Sequence, residues 1–314
     1  MREALSTSGD FYHNFLRILH PNTDVPGVKP VAFLELYFDE SGHSADKAYI
    51  VMAGYIAPAE RWLGFADEWN AALVVAGVCR TDGTAGEFHM TDFEAKRGAF
   101  SGWTEEPRRS LLGNLMGIID NHQLHATGFV VSTAWWKTIS WKDEHPNHKP
   151  LEDPYHHVMQ NAIATALTMT NHQDVAPDLF SPDGVACVFA PQEEFEPKAA
   201  QYMAAMAHFL TVLAAPTVTS ITFALTNMPQ LQAADIVAFE LRWRLTCPNI
   251  DRWPMRQILK SGRGKFAGLP TGILANANLG RVEPIEFPTQ VLQASDSLAK
   301  KLIPKRQRKR KQGI

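Results

Sequence analysis

Asp39 and Glu40 open the tetrapeptide Asp39-Glu40-Ser41-Gly42. It closes a run of strand-like alternation, where a side chain is held rigidly and still reaches the edge crevice of a sheet. Carboxylate oxygens are hard ligands, so acids in that place suit a divalent cation such as Mg²⁺ or Mn²⁺. Neighbouring strand residues point to opposite faces, so the two acids share one ion only if the strand ends between them, and Asp39 is the stronger candidate. The same four residues equally suit a turn in which an acid caps a hairpin.

Gln232 and Asp235 lie three residues apart in Leu231-Gln232-Ala233-Ala234-Asp235-Ile236-Val237-Ala238, which places both on nearly one face of a helix. A helix capped at Asn227 would hold Asp235 about two turns inside, beyond the reach of the helix dipole. An acid among so many apolar residues needs a partner, and a metal ion, a positive side chain or a backbone donor would each serve. In Glu87-Phe88-His89 an extended chain sets Glu87 and His89 on one face, offering a carboxylate and a proton shuttle. A histidine beside an aromatic is also a common structural residue.

Arg252, Arg256 and Lys260 recur every four residues and would form one positive stripe on a helix, continued by Arg263 and Lys265 in a flexible loop, Gly262 to Lys265. Such a stripe could guide a nucleic-acid strand. No P-loop, nucleophile elbow or dinucleotide fingerprint is present. His145, His148, His156 and His157 match no zinc-binding spacing, and Trp135, Trp136 and Trp141 with Lys137 and Lys142 read as core or interface before base stacking.

The elements that must position these residues are legible in the spacing. Val31 to Asp39 and Tyr49 to Tyr55 read as strands joined by a turn at Ser41, Gly42 and His43. Glu60 to Gly77 has helical spacing, with Trp62, Phe65, Trp69, Leu73 and Ala76 on one side. Thr91 and Glu94 fit a capping box, Thr104 starts a helix to about His122, and His125 to Ser132 reads as a strand. Asp153-Pro154 opens a helix through Asn171, Gly184 to Ala190 is a buried strand, and Pro197 to Leu213 is a helix. Ser220 to Ala224 is a strand, and Asn227-Met228-Pro229 opens a long helix to about Cys247. The alternation predicts an α/β domain, a mixed sheet flanked by helices.

The expected division is an extension over 1–30, with a short helix from Gly9 to His20 and a connector through Pro21, Pro26, Gly27 and Pro30. An α/β domain follows over 31–247, then a basic stripe and extension over 248–299 and a basic tail over 300–314. The tail carries eight of the 30 Lys and Arg and none of the 33 Asp and Glu, so a net charge of -3 hides an acidic body. A length of 314 residues lets roughly three quarters of the unfolded surface be buried, so no disulfide or metal is needed for folding. Cys79, Cys187 and Cys247 suggest neither a disulfide framework nor a zinc knuckle and are expected to be buried. The longest apolar stretch, Ala71 to Val78, is far short of the roughly 20 residues that cross a bilayer, and no signal core follows Met1, so a cytoplasmic protein without a membrane partner is expected.

Taken in order, Tyr37-Phe38-Asp39-Glu40-Ser41-Gly42, the apolar run Tyr49 to Tyr55, Glu87-x-His89 and Leu231-Gln232-x-Ala234-Asp235-Ile236 resemble the bacterial and phage family called domain of unknown function 3800. The resemblance covers about Val31 to Trp243. It implies a ribonuclease H-like fold and a divalent-metal nuclease acting on DNA or RNA. In that picture Asp39 is the ligand on the first strand and Asp235 the ligand on the last helix. Glu40 and Glu87 are auxiliary acids, His89 an acid/base, and Gln232 orients a ligand or water. One departure stands out: Ala190 occupies the strand end where such proteins commonly carry an aspartate, and Glu193 or Glu194 would have to reach the same space. Loss of that ligand leaves open a catalytically silent protein that binds nucleic acid or a protein partner through the basic stripe and tail, in phage or defence biology.

Overall fold

Period-two alternation in the first described strand decides the layering of the protein. The computed structural model describes residues 34–42, 48–138, 154–170, 177–179, 184–191 and 218–269. Strand β1 (Leu34–Ser41) pairs antiparallel with β2 (Tyr49–Pro58), which pairs antiparallel with β3 (His125–Ser132). On the other side β1 runs parallel to β4 (Val185–Phe189), and β4 parallel to β5 (Val218–Phe223). A sixth strand, β6 (Gly264–Leu269), runs parallel to β3, giving the order β5-β4-β1-β2-β3-β6. The mixed sheet flanked by helices is therefore present, with β1 in its interior.

The two faces of β1 feed two cores. Leu34, Leu36 and Phe38 pack with Val158, Met159, Ala162 and Ile163 of helix α5 (Pro154–Thr170), whose buried positions recur at helical spacing. Tyr37 turns to the opposite face, against α1 (Ala59–Val75), α3 (Glu105–Asn121) and α6 (Pro229–Thr246). There the Trp62 ring meets Tyr37 edge-on at 4.8 Å and Phe65 at 5.2 Å, and Trp62 and Trp69 are both fully buried. Burying each such ring contributes about 2–3 kcal/mol or more of transfer free energy, so this face anchors the sheet. Helix α6 is buried without a break from Pro229 to Leu241 because it lies between the sheet and neighbouring helices. No helix among the described residues is long and apolar enough to cross a membrane.

Four expectations need correction. Strand β1 does not stop at Asp39 but continues through Glu40 to Ser41, both still paired to β2, so Asp39 and Glu40 face opposite sides. Thr91 does not cap a helix: α2 (Met90–Ala95) already includes it, with His89 as the preceding residue. The stretch from Gly264 is strand β6 rather than loop, because Phe266 and Ala267 bury into the sheet, so the α/β unit runs past 247 through α7 (Trp253–Lys260) and β6. Cys187 is buried and Cys247 partly so, but Cys79 is exposed. The expected helices Gly9 to His20 and Pro197 to Leu213, Glu193, Glu194, the histidines at 145 and 148, and the basic tail lie outside the described residues.

Candidate metal centre

Asp39 occupies the α6-facing side of β1, two residues beyond the buried Tyr37, where the strand nears its end and the chain becomes partly exposed. Two residues on, the Ser41 hydroxyl accepts from Nε of Arg242 on α6 at 2.7 Å, pinning strand to helix. Gly42 has φ +97°, and a Cβ there would lie 2.2 Å from the Tyr49 carbonyl oxygen, so only glycine allows the chain to leave β1 this way. This is why the acids are followed by Ser-Gly: one residue ties the strand end down and the next turns it.

Residues 86–89 run from the isolated bridge between Cys79 and Ala85 to the start of α2. Gln232 holds that segment. Its Oε1 accepts from Trp69 Nε1 at 2.9 Å and from the Phe88 amide at 3.1 Å, while its Nε2 donates to the Asn227 carbonyl at 3.1 Å. The amide is thus committed to protein partners on three sides. These bonds make Gln232 a clamp that joins α1, the 88–90 segment and the start of α6, a role the spacing did not indicate.

Asp235 answers the question raised by its apolar neighbours with a backbone donor. Its Oδ2 accepts from the Met90 amide at 2.6 Å, capping α2 from another helix, and lies 3.4 Å from Nδ1 of His89. The carboxyls of Asp39 and Asp235 lie close enough to act on each other's ionisation. Burial first and the Asp235 charge second hold the Asp39 carboxyl well above its ordinary range, against the Glu40 amide that donates to its Oδ1 at 2.8 Å. Burial raises Asp235 too, opposed by His89, the Met90 amide and Asp39. Two acids in one low-dielectric site cannot both ionise cheaply, so protonation of the pair persists above the ordinary carboxylate range and the two titrate as a unit.

The structure therefore brings together Asp39, Asp235 and His89, whose side chain is 54% exposed at the rim. It leaves two expected acids out. Glu40 points to the other face of the sheet, and Glu87, 52% exposed, pairs with Arg80 at 3.2 Å. Asp92 is an acid that the spacing did not bring forward. Its charge raises Asp235, although it also pairs with Arg97 at 3.2 Å. The signal was the start of α2: with Met90 as first residue, Asp92 falls in the first turn beside Asp235.

Among the described residues, no group of three or more His, Cys, Asp or Glu is arranged to hold a metal ion. A cation held here would have two carboxylates, Asp39 and Asp235, as its protein donors. That suits Mg²⁺, which is often bound through one or two carboxylates and keeps several waters, and it does not suit a closed zinc site. Ala190, 7% exposed, lies beside this centre, its amide donating to the Phe38 carbonyl at 3.0 Å.

The expected positive stripe is spent largely on acids. Arg252 donates to both oxygens of Glu240 at 2.7–3.0 Å and to Glu94 at 2.8 Å, Arg256 sits 3.4 Å from Asp251, and Arg263 pairs with Asp120. The reason is that α6 buries Glu240 completely, and an uncompensated charge there would be costly. Lys260 remains exposed at the end of α7, and Lys265 lies in β6. Trp135 and Trp136, in helix α4 (Thr133–Thr138), pack against the core on the α5 side, as expected for structural aromatics. In comparisons with protein-family models and with curated proteins, nothing matches the chain.

Proposed function

We propose that Asp39 and Asp235 together hold a divalent cation, Mg²⁺ or Mn²⁺, and that the protein is a metal-dependent nuclease hydrolysing phosphodiesters of DNA or RNA on a ribonuclease H-like fold. The observation that carries this reading is that two acids, brought from the first strand and a late helix, lie close enough for each to act on the other's ionisation. The antiparallel run β1 to β3, continued by parallel β4 and β5, supports the fold assignment.

In this reading the cation supplies Lewis-acid activation of a water nucleophile and charge neutralisation at the phosphodiester. Asp39 gives up its proton when the cation is held, as hard-ligand binding requires. The Met90 amide fixes Asp235, and the Gln232 clamp fixes the segment bearing Met90 and His89. His89, exposed beside the pair, exchanges a proton with the water or the leaving oxygen. Cleavage of end-labelled DNA and RNA in Mg²⁺ or Mn²⁺ tests the proposal. Asp39→Asn and Asp235→Asn should each abolish cleavage while the fold survives, and undiminished cleavage by both variants would end it.

Ala190 favours a second reading, a catalytically silent protein that binds nucleic acid or a partner, because the described strand end beside Asp39 offers methyl rather than carboxylate. That reading expects salt-sensitive binding that survives Asp39→Asn and weakens when the tail after Lys300 is removed.

A further inference from the structure

A cavity of about 270 Å³ opens between α2, the amino end of α3 and the amino end of α7, apart from the acid pair. Four guanidinium groups line it, those of Arg108, Arg109, Arg252 and Arg256, together with Glu94, Glu105, Asp251 and the indole of Trp253. Both helix ends facing it lack a side-chain cap; Glu105 and Glu106 stand in the first turn of α3, and the first turn of α7 contains no acid. Cations at the positive end of a helix are electrostatically misplaced unless an anion offsets them.

The four arginines differ in how firmly they are held. Arg252 is locked by Glu240 and Glu94 and serves as a fixed wall. Arg108 has a side chain only 9% exposed, stacks on the Phe93 ring at 4.8 Å, bonds Glu105 at 3.0 Å, lies 3.4 Å from Glu94, and leaves its Nε without a hydrogen-bond partner. Arg109 and Arg256 are 73% and 54% exposed and pair at 3.3 and 3.4 Å with Glu105 and Asp251, themselves more than half exposed. Such exposed pairs are weak in water, so Glu105 and Asp251 act as exchangeable counterions.

We propose that this cavity is a second binding site, for the phosphate-bearing end of a nucleotide. The phosphate displaces Glu105 and Asp251 and takes up Arg108, Arg109 and Arg256 at the paired helix ends, the geometry that guanidinium forks favour. Trp253, partly buried and packed against the core, lines the same wall and is the aromatic against which the base would stack. A volume near 270 Å³ is at the small end for ligand pockets and admits one nucleotide unit, not a folded polymer. The phosphate arrives either on a free mononucleotide or at the end of a strand, and the shared chemistry is the same.

Calorimetric titration of the full chain in EDTA, which removes any contribution from a cation at Asp39 and Asp235, separates these sources. The probes are AMP, adenosine, and thymidine trinucleotide with and without a 5′-phosphate. The site requires that a phosphorylated probe bind and its unphosphorylated counterpart not. It also requires that the Arg109→Ala/Arg256→Ala double variant bind about tenfold or more weakly at an unchanged melting temperature, and that Asp39→Asn bind as the parent does. Binding of AMP identifies a free nucleotide as sufficient, and binding of the phosphorylated trinucleotide alone identifies a strand end. No binding of either phosphorylated probe, or equal binding by the double variant, would overturn the proposal.

Discussion

The amide of Met90 donates to Oδ2 of Asp235 at 2.6 Å, fastening the first residue of α2 to the middle of α6. One hydrogen bond thus satisfies one of the free amides at the amino terminus of a short helix and fixes the orientation of an acid buried among apolar residues. The other consequence lies at Asp39, whose carboxyl is held well above its ordinary range by burial and by the Asp235 charge.

That shift sets a dependence on pH. The Asp39 carboxyl is raised by burial and by Asp235, so its contribution to stability is complete below its unfolded value of about 3.9 and drains away as pH rises through the folded value. Asp39→Asn keeps a neutral side chain at every pH. In EDTA, the variant and parent should melt together near pH 4, and the variant should melt roughly 2–4 °C higher in the alkaline range. Thermal unfolding across pH measures this, and parallel curves would mean that burial and Asp235 do not hold the Asp39 carboxyl above its ordinary range.

Gln232→Ala removes the acceptor of two buried donors, Trp69 Nε1 and the Phe88 amide. The expected loss is about 1–3 kcal/mol of stability in urea unfolding, with faster hydrogen exchange at Phe88 and Met90. An unchanged urea midpoint would contradict the clamp and return Gln232 to a role toward ligand.

The contrast between Gln232 and the sheet marks what the sequence makes legible. Period-two and helical spacing located β1 to β5 and the helices α1, α3, α5 and α6 to within a few residues, because hydrophobic pattern reports directly on burial. The pairing of Asp39 with Asp235 followed from the resemblance, since spacing alone left the partner of Asp235 open. The destinations of Gln232, Glu87 and Arg252 were not legible, because each depends on which distant group lies opposite: Trp69, Arg80 and Glu240 respectively. Strand β6 was missed because two glycines and a lysine, Gly262, Gly264 and Lys265, mask a strand whose buried side chains come from Phe266 and Ala267.

Arg252 tests the reassignment of the basic stripe. Arg252→Ala leaves the fully buried Glu240 unpaired and should cost about 3–5 kcal/mol, part of which returns when Glu240→Gln is added. Lys260→Ala, at an exposed position, should change stability by no more than about 0.5 kcal/mol. Chemical denaturation of the three variants measures both, and a harmless Arg252→Ala would mean that its guanidinium is free for a ligand.

The central claim is that Asp39 and Asp235 surround one divalent cation, and calorimetric titration of Mn²⁺ into the parent, Asp39→Asn and Asp235→Asn tests it most directly. Binding by the parent that is lost in both variants is the predicted result, since each supplies half of the carboxylate donor set. Absence of binding to the parent, or binding that persists in both variants, would contradict it.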